Sequence, residues 1–96
     1  MTDDDAVRRL TDAAGRVLRW PKKAADKALC LACLAERFEP GVRHTEREVN
    51  ERLDAWTVDG DCALWRRELV VKGLLARTPD GRAYWRVAGS DARPEG

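Results

Sequence analysis

Residues 61–87 read DCALWRRELVVKGLLARTPDGRAYWRV, and within this stretch the apolar pattern changes from a helical repeat to alternation. Trp65 and Leu69 are four residues apart and share one face of a predicted helix, with Cys62 one turn earlier on the same side. Gly73 stands where a helix ends in a left-handed residue, and the leucines after it are suited to close such a cap. The sequence therefore predicts one helix that ends at Gly73.

The second half of this stretch predicts a β-hairpin. Polar and apolar residues alternate over residues 76–78 and again over residues 84–87, which is the pattern of short half-buried strands. Between them, Pro79 fixes φ, Asp80 accepts hydrogen bonds from nearby N–H groups, and Gly81 takes a positive φ. A helix followed by a short hairpin is typical of the third helix and wing of a winged helix. We expect a mainly α fold class with a small β-hairpin wing, a winged helix-turn-helix plus an extra N-terminal helix.

The preceding residues predict two more helices and a strand. Residues 22–38 are rich in alanine and leucine and indicate a helix, and residues 42–44 suit a short strand. The segment TEREVN contains a capping box, in which the Thr45 hydroxyl and the Glu48 carboxylate each accept a hydrogen bond from the other residue's N–H. The helix that it opens is predicted to run to about Trp56.

The N-terminal segment has its own apolar repeat. Apolar residues recur at three- and four-residue steps over residues 5–20, which predicts an amphipathic helix packed on the domain. A dimerisation or docking role for this helix is the alternative. We divide the chain into an N-terminal amphipathic helix at residues 1–20, a winged-helix domain at residues 21–87 and a disordered tail at residues 88–96.

The composition favours one small globular domain. The chain has 96 residues, of which 44% are hydrophobic and 36% are charged, enough for a modest core. No apolar stretch is long enough to cross a membrane, and no hydrophobic run follows the N-terminus as a signal peptide requires. We therefore expect a cytoplasmic protein with no membrane partner, and its three cysteines are expected to be reduced thiols.

The charges are unevenly distributed, although the formal net charge is only +1. Residues 61–86 contain six basic and three acidic residues, whereas residues 36–59 contain four basic and seven acidic ones. Residues 7–27 are also basic, with seven basic and two acidic residues. This polarity favours a partner that binds in one orientation.

The predicted third helix and wing carry residues suited to duplex DNA. In a winged helix the third helix lies in the major groove, and cations of the wing meet the phosphate backbone. Arg67 points outward among apolar neighbours and can make a bidentate contact to guanine. Arg66 has an alternative, an ion pair with Glu68 or with an acidic residue of the capping-box helix, and all these cations can also be ordinary solvated charges. The predicted DNA-binding residues are Arg66, Arg67, Lys72, Arg77 and Arg82.

A second function compatible with this sequence is a protein-interaction or dimerisation module of the same fold that does not bind DNA. Leu64 and Val71 are predicted to be exposed, and a homodimer or a protein partner would cover such an apolar patch. Trp20 is the tryptophan expected near an interface. The other three tryptophans are better placed in the core: Trp56, Trp65 and Trp85.

Neither a metal site nor an active site is predicted. Cys30 and Cys33 lie on nearly one helical face, and His44 and Cys62 are available to join them. Zinc needs four convergent ligands, and a second pair at ligand spacing is missing, so the thiols are interpreted as core residues. The chain has one histidine, no nucleophile beside a base and no glycine-rich phosphate loop, so we predict no enzyme, no metal and no cofactor.

Several motifs of this chain together resemble those of a known family. They are Trp20-Pro21-Lys22, TEREVN from Thr45, RRELV from Arg66, GLL from Gly73, and Asp80-Gly81 with Tyr84-Trp85. Over about residues 18–87 the chain resembles the bacterial domain of unknown function numbered 2087. The resemblance implies a winged-helix-like domain found in proteins assigned as transcriptional regulators, with no established activity. The chain departs from the family's pattern at His44, where an aromatic residue is usual, and at Leu64 and Val71, where polar residues are commoner.

Overall fold

The computed structural model describes residues 3–87. The elements in chain order are α1 (Asp3–Leu10), α2 (Ala24–Glu36), β1 (Arg43–His44), α3 (Glu46–Trp56), α4 (Cys62–Val71), β2 (Leu75–Arg77) and β3 (Tyr84–Arg86). The described residues thus form a mixed α/β fold of four helices and a small antiparallel sheet, in which β3 lies between β1 and β2. This arrangement is compatible with the predicted helix and wing. The predicted tail at residues 88–96 lies outside the described residues.

The predicted capping box sets the start of α3. The Thr45 hydroxyl accepts a hydrogen bond from the Glu48 N–H at 3.1 Å, and the Glu48 carboxylate accepts one from the Thr45 N–H at 2.9 Å. These two bonds satisfy N–H groups that the first turn of a helix leaves without partners. The helix runs to Trp56, as the sequence predicts.

Both ends of α4 follow from local chemistry. The Asp61 carboxylate accepts a hydrogen bond from the Leu64 N–H at 3.4 Å and caps the first turn. Gly73 has φ of +78°, and the Leu74 N–H donates to the Leu69 carbonyl at 2.9 Å. This is a Schellman cap, in which a left-handed residue lets the chain close over the last carbonyls of a helix. The predicted helix end at Gly73 is confirmed.

The turn between β2 and β3 is the predicted one. The Gly81 N–H donates to the Thr78 carbonyl at 2.9 Å, and Gly81 has φ of +73°. The Asp80 carboxylate accepts hydrogen bonds from the Thr78 hydroxyl at 2.6 Å and from the Arg82 N–H at 3.0 Å. These bonds lower the pKa of the exposed Asp80 carboxyl below its ordinary value, because they favour its charged form.

The sheet places one face on the core. His44 of β1 pairs with Tyr84 of β3, and Ala76 of β2 pairs with Trp85 of β3. Tyr84 is buried, whereas Trp85 lies outside the buried cluster, with the Arg43 guanidinium 4.4 Å from its ring centroid. The prediction that Trp85 is a core residue is therefore wrong. Successive residues of a strand face opposite sides, so Tyr84 and Trp85 cannot both enter the core.

The core lies between α2, α3, α4 and the inner face of the sheet. Trp65 and Leu69, the predicted inner face of α4, are fully buried. Trp65 stacks edge-on against the half-buried Trp20, with ring centroids 5.2 Å apart, and Trp56 packs in the same way on Phe38 at 5.0 Å. The buried apolar residues are Val17, Cys30, Leu31, Leu34, Ala35, Phe38, Val49, Leu53, Trp65, Leu69, Leu75 and Tyr84.

The N-terminal helix is shorter than the sequence predicts. It ends at Leu10, so the prediction of one amphipathic helix up to Trp20 is wrong in its extent. The Asp12 side chain accepts hydrogen bonds from two backbone N–H groups of the turn that follows, and Gly15 adopts φ of +85°. A short acidic side chain and a left-handed glycine thus stabilise a turn in place of further helix.

Residues after this turn join the core through the backbone. Val17 is fully buried, its N–H donates to the Trp56 carbonyl at 2.8 Å, and its carbonyl accepts from the Val58 N–H at 2.8 Å. Part of the apolar repeat therefore comes from an extended segment that is buried against the end of α3. Apolar spacing alone does not distinguish such a segment from an amphipathic helix. In the part of the chain that the structure describes, every helix is too short or too polar to cross a membrane.

Candidate functional site

A groove of about 440 Å³ lies between the start of α3, the outer face of α4 and the hairpin. We call it the arginine groove, because three of its eight lining residues are arginines. The lining residues are Glu46, Ala63, Arg66, Arg67, Val70, Val71, Arg77 and Tyr84. With three arginines and one glutamate, the formal charge of this lining is +2.

The helical spacing of α4 explains which of its residues enter the groove. Ala63 and Arg67 are one turn apart, and both are exposed, as is Val71 with 67% of its surface accessible. The predicted exposure of Arg67 and Val71 is confirmed. Leu64 is half-buried and does not line the groove, so the prediction that it is exposed is wrong.

Arg66 is held by α3. Its guanidinium donates a hydrogen bond to the Asn50 side-chain oxygen and lies 3.9 Å from a Glu46 carboxylate oxygen. Only 20% of the Arg66 side chain is exposed. The structure thus realises the alternative that the sequence left open, an ion pair between Arg66 and an acidic residue of the capping-box helix.

The Glu46 carboxylate also connects α3 to the sheet. The Tyr84 hydroxyl donates to a Glu46 carboxylate oxygen at 3.2 Å. A Cβ built on Gly81 would lie 3.2 Å from an Arg77 guanidinium nitrogen and 3.9 Å from both the Glu46 oxygen and the Tyr84 hydroxyl. The turn of the hairpin therefore brings Arg77, Glu46 and Tyr84 close together at one end of the arginine groove.

Arg67 and Arg77 are the cations of this groove that remain available to a partner. Both side chains belong to exposed residues, and neither has a hydrogen bond or ion pair within residues 3–87. Unpaired guanidinium groups on one face can bind anionic oxygens without first breaking an internal ion pair.

The other two predicted DNA-binding residues lie elsewhere. Arg82 is at the tip of the hairpin, 3.7 Å from the Asp80 carboxylate, and its side chain is 86% exposed. Lys72 lines a second groove, of about 410 Å³, between α2 and the end of α4. We call it the lysine groove, and its lining residues are Ala24, Lys27, Ala28, Leu31, Ala32, Lys72 and Leu74. The structure thus brings Arg66, Arg67 and Arg77 together and leaves Lys72 and Arg82 apart.

Sequence reasoning missed Glu46 and Tyr84 as residues of this groove. Each had a local explanation, Glu46 in the first turn of α3 and Tyr84 in the alternation of β3. They are 38 residues apart in the chain, so no spacing pattern relates them. The alternation of the strand does indicate which side Tyr84 faces, but not which residue lies there.

The cysteines and the histidine do not converge. Burial raises the pKa of Cys30 to about 11 and also raises the pKa of Cys62, whose thiol donates to the Asn50 carbonyl at 3.2 Å. His44 is buried against Phe38, and its Nε2 has no hydrogen-bond partner within residues 3–87. Over those same residues, histidine, cysteine and acidic side chains form no group of three or more that is suited to a metal ion.

Comparison with known proteins identifies a family for this chain. A model of the family described as "Uncharacterized protein conserved in bacteria (DUF2087)" matches residues 16–86, which is more than half of the chain and includes the whole arginine groove. No curated protein and no solved structure matches this chain.

Proposed function

This chain belongs to the DUF2087 family of uncharacterised bacterial proteins, and we propose that it is a transcriptional regulator of winged-helix fold that binds duplex DNA. The order of the elements supports the fold. A helix and a short strand are followed by two helices and a hairpin, and β3 pairs with both β1 and β2. In this proposal α4 is the helix that enters the major groove, and the β2–β3 hairpin is the wing.

One observation carries the proposal: Arg67 of α4 and Arg77 of β2 line the same groove with their charges unpaired among the described residues. A recognition helix needs a side chain that reaches base edges, and Arg67 is suited to bind the two acceptors of guanine. A wing needs a cation that contacts the phosphate backbone, and Arg77 is suited to that contact. Arg82, at the tip of the hairpin, is proposed as a further phosphate contact.

Arg66 and Lys72 have smaller parts in this proposal. Arg66 is engaged by Glu46 and Asn50, so it shapes the groove and does not start as a free cation. Lys72 lies by α2 in the lysine groove, away from the proposed DNA-binding face. We therefore expect Lys72 to contribute long-range attraction alone.

Fluorescence anisotropy with a labelled duplex of mixed genomic sequence tests the proposal. At about 50 mM salt, wild-type protein is expected to bind and to lose affinity steeply as salt is added. Arg77→Ala should weaken binding about threefold or more, as expected for one phosphate contact. The matched control is Arg9→Ala on α1, which removes the same charge from an exposed side chain that pairs with Asp26 at 3.3 Å. No binding at low salt, or equal effects of both variants, would contradict the proposal.

A specific observation supports a second function for the same groove, a protein-interaction or dimerisation module. Val71 is 67% exposed and lines the arginine groove together with Ala63 and Val70, so α4 offers apolar surface as well as a cation. Light scattering tests this alternative. It predicts a dimer, or a complex with a recovered partner, that Val71→Asp abolishes, whereas a concentration-independent monomer without a partner contradicts it.

A further inference from the structure

Glu46 stands out among the residues of the arginine groove because it is the one acidic residue in a lining that contains three arginines. It accepts a hydrogen bond from the Tyr84 hydroxyl at 3.2 Å and lies 3.9 Å from the Arg66 guanidinium. Arg77 contributes a guanidinium nitrogen beside the same turn of the hairpin. Glu46 thus has one guanidinium group paired with it, a second one elsewhere in the groove lining and a phenolic hydroxyl, which are donors of the kind that contact a DNA phosphate.

We infer that Glu46 is an internal competitor of DNA phosphate, whose carboxylate occupies a phosphate position in the arginine groove and has to be displaced when duplex DNA binds. The inference rests on the proposed function, and it adds a residue that weakens binding to every duplex. A fixed negative charge beside Arg66 and Arg77 lowers affinity for any duplex. Tight binding then requires further contacts to a DNA site of favourable sequence and shape, which compensate for the lost affinity.

The contacts of Glu46 are suited to exchange. Half of its side chain is exposed, and an ion pair at 3.9 Å with that exposure is weak because water screens it. Arg66 keeps its hydrogen bond to Asn50 when the carboxylate leaves, so its guanidinium stays in the groove. A phosphate oxygen can therefore replace the carboxylate oxygen without repacking of the core.

Glu46→Gln is the direct test, because it removes the charge and keeps the size and a hydrogen-bond acceptor for Tyr84. Anisotropy with the labelled duplex should show binding tighter than wild type by about threefold or more at about 100 mM salt. The slope of log affinity against log salt should become steeper by up to about 0.9, the value for one phosphate charge, because no displaced carboxylate then takes up a cation from solution. Glu46→Ala, which also removes the carboxylate, should change affinity in the same direction.

Glu51→Gln is the matched control. Glu51 lies on the same helix, is 63% exposed on its side chain and pairs with Arg47 at 3.3 Å, outside the arginine groove. It loses the same charge, so it reports the general effect of making the protein less acidic. A gain for Glu46→Gln clearly above the gain for Glu51→Gln supports the inference.

Arg66→Ala in the Glu46→Gln background completes the test. It should remove the gain, whereas Arg66→Ala alone should change affinity little, because in wild type a phosphate contact only replaces the ion pair between Arg66 and Glu46. If wild type binds DNA but Glu46→Gln equals Glu51→Gln, or binds more weakly than wild type, the inference is overturned and the proposed function stands. If neither wild type nor any of these variants binds, the proposed function is overturned and this inference with it.

Discussion

The arginine groove and the lysine groove both border α4, and they have similar volumes, about 440 and 410 Å³. Their formal charges are also equal, since two lysines without an acid give +2. They differ in how the cations are held. The arginine groove contains the exposed, planar guanidinium of Arg67 and a set of side-chain contacts that joins α3, α4 and β3. In the lysine groove, Lys27 and Lys72 carry compact ammonium charges on flexible side chains, beside alanine and leucine residues.

Charge and volume therefore do not distinguish the proposed DNA-binding groove from the lysine groove. Guanidinium groups present several donors in fixed directions, which matches the paired acceptors of guanine and of phosphate. In the lysine groove, the Lys27 ammonium lies 5.3 Å from the Trp20 ring centroid, a contact that serves packing. Four experiments test the comparison, beginning with the one of largest expected effect.

Trp65→Ala should disrupt both grooves together. Trp65 is fully buried, packs on Trp20, and donates its indole N–H to the Asp59 carboxylate at 3.0 Å. Loss of this side chain leaves a large cavity behind α4, so the free energy of unfolding should fall by about 3–5 kcal/mol in urea titrations. Val71→Ala on the exposed face of the same helix should change it by less than about 0.5 kcal/mol. Equal effects would mean that α4 is not anchored through its inner face.

Comparing Arg67→Ala with Lys72→Ala separates the contributions of the two grooves to DNA binding. Each variant removes one cation near α4, but only Arg67 lines the arginine groove. DNA affinity should fall about tenfold or more for Arg67→Ala, the range for a base contact, and at most about threefold for Lys72→Ala. Anisotropy at one fixed salt concentration measures both. A loss for Lys72→Ala as large as for Arg67→Ala would break the comparison and favour binding by charge alone.

His44→Phe should stabilise the sheet that supports the arginine groove. The buried His44 Nε2 has no partner within the described residues, so replacing the imidazole by a ring of similar shape should raise the free energy of unfolding by about 1 kcal/mol. The gain should also depend on pH. Burial, aided by the Arg52 charge, lowers the pKa of His44 below its ordinary value of 6.5.

The sign of this pH effect follows from linkage. Below pH 6.5 the unfolded chain binds a proton at His44 that the folded chain resists, so wild-type stability is full above that value and falls as pH decreases through it. His44→Phe should lack this loss. Urea titrations at pH 5 and pH 8, taken as about 1.5 units either side of the free imidazole pKa, give the measurement. Parallel pH profiles of the two proteins would contradict the assignment.

The comparison of Gly81→Ala with Gly41→Ala is expected to give the smallest difference in DNA affinity. Both glycines have positive φ, +73° and +78°, so both alanines should lower the free energy of unfolding by about 1 kcal/mol. Only at Gly81 does the added Cβ meet the arginine groove, 3.2 Å from an Arg77 guanidinium nitrogen, whereas nothing lies within 4 Å at Gly41. DNA affinity should therefore fall for Gly81→Ala alone. An equal change in affinity for both variants would show that Arg77 is not held at this turn.

The elements that were predicted correctly are those whose bonds close within a few residues. The capping box at Thr45, the helix end at Gly73 and the turn at Gly81 each join groups no more than five positions apart. Side-chain type at such short range determines the backbone conformation, because few alternatives can satisfy the same N–H and carbonyl groups.

The predictions that failed needed information from distant parts of the chain. The apolar repeat around Val17 predicts a helix. In the structure the Val17 N–H donates to the Trp56 carbonyl, and this pairing holds Val17 in the core as part of an extended segment. Trp85 was assigned to the core, but Tyr84 occupies the inner face of β3. In both cases the periodicity of the sequence indicates that some residues are buried, but it does not identify the residues that pack against them.

Local hydrogen bonding and the helical period are enough to predict the helix that ends at Gly73, the hairpin after it and the exposure of Arg67. The packed fold was needed to show that Arg67 and Arg77 share a groove while Lys72 lines another, and that Glu46 contacts Tyr84, 38 residues away in the chain. The physical reason is that long-range contacts depend on how whole elements pack, and packing is set by the entire core rather than by any local stretch of residues.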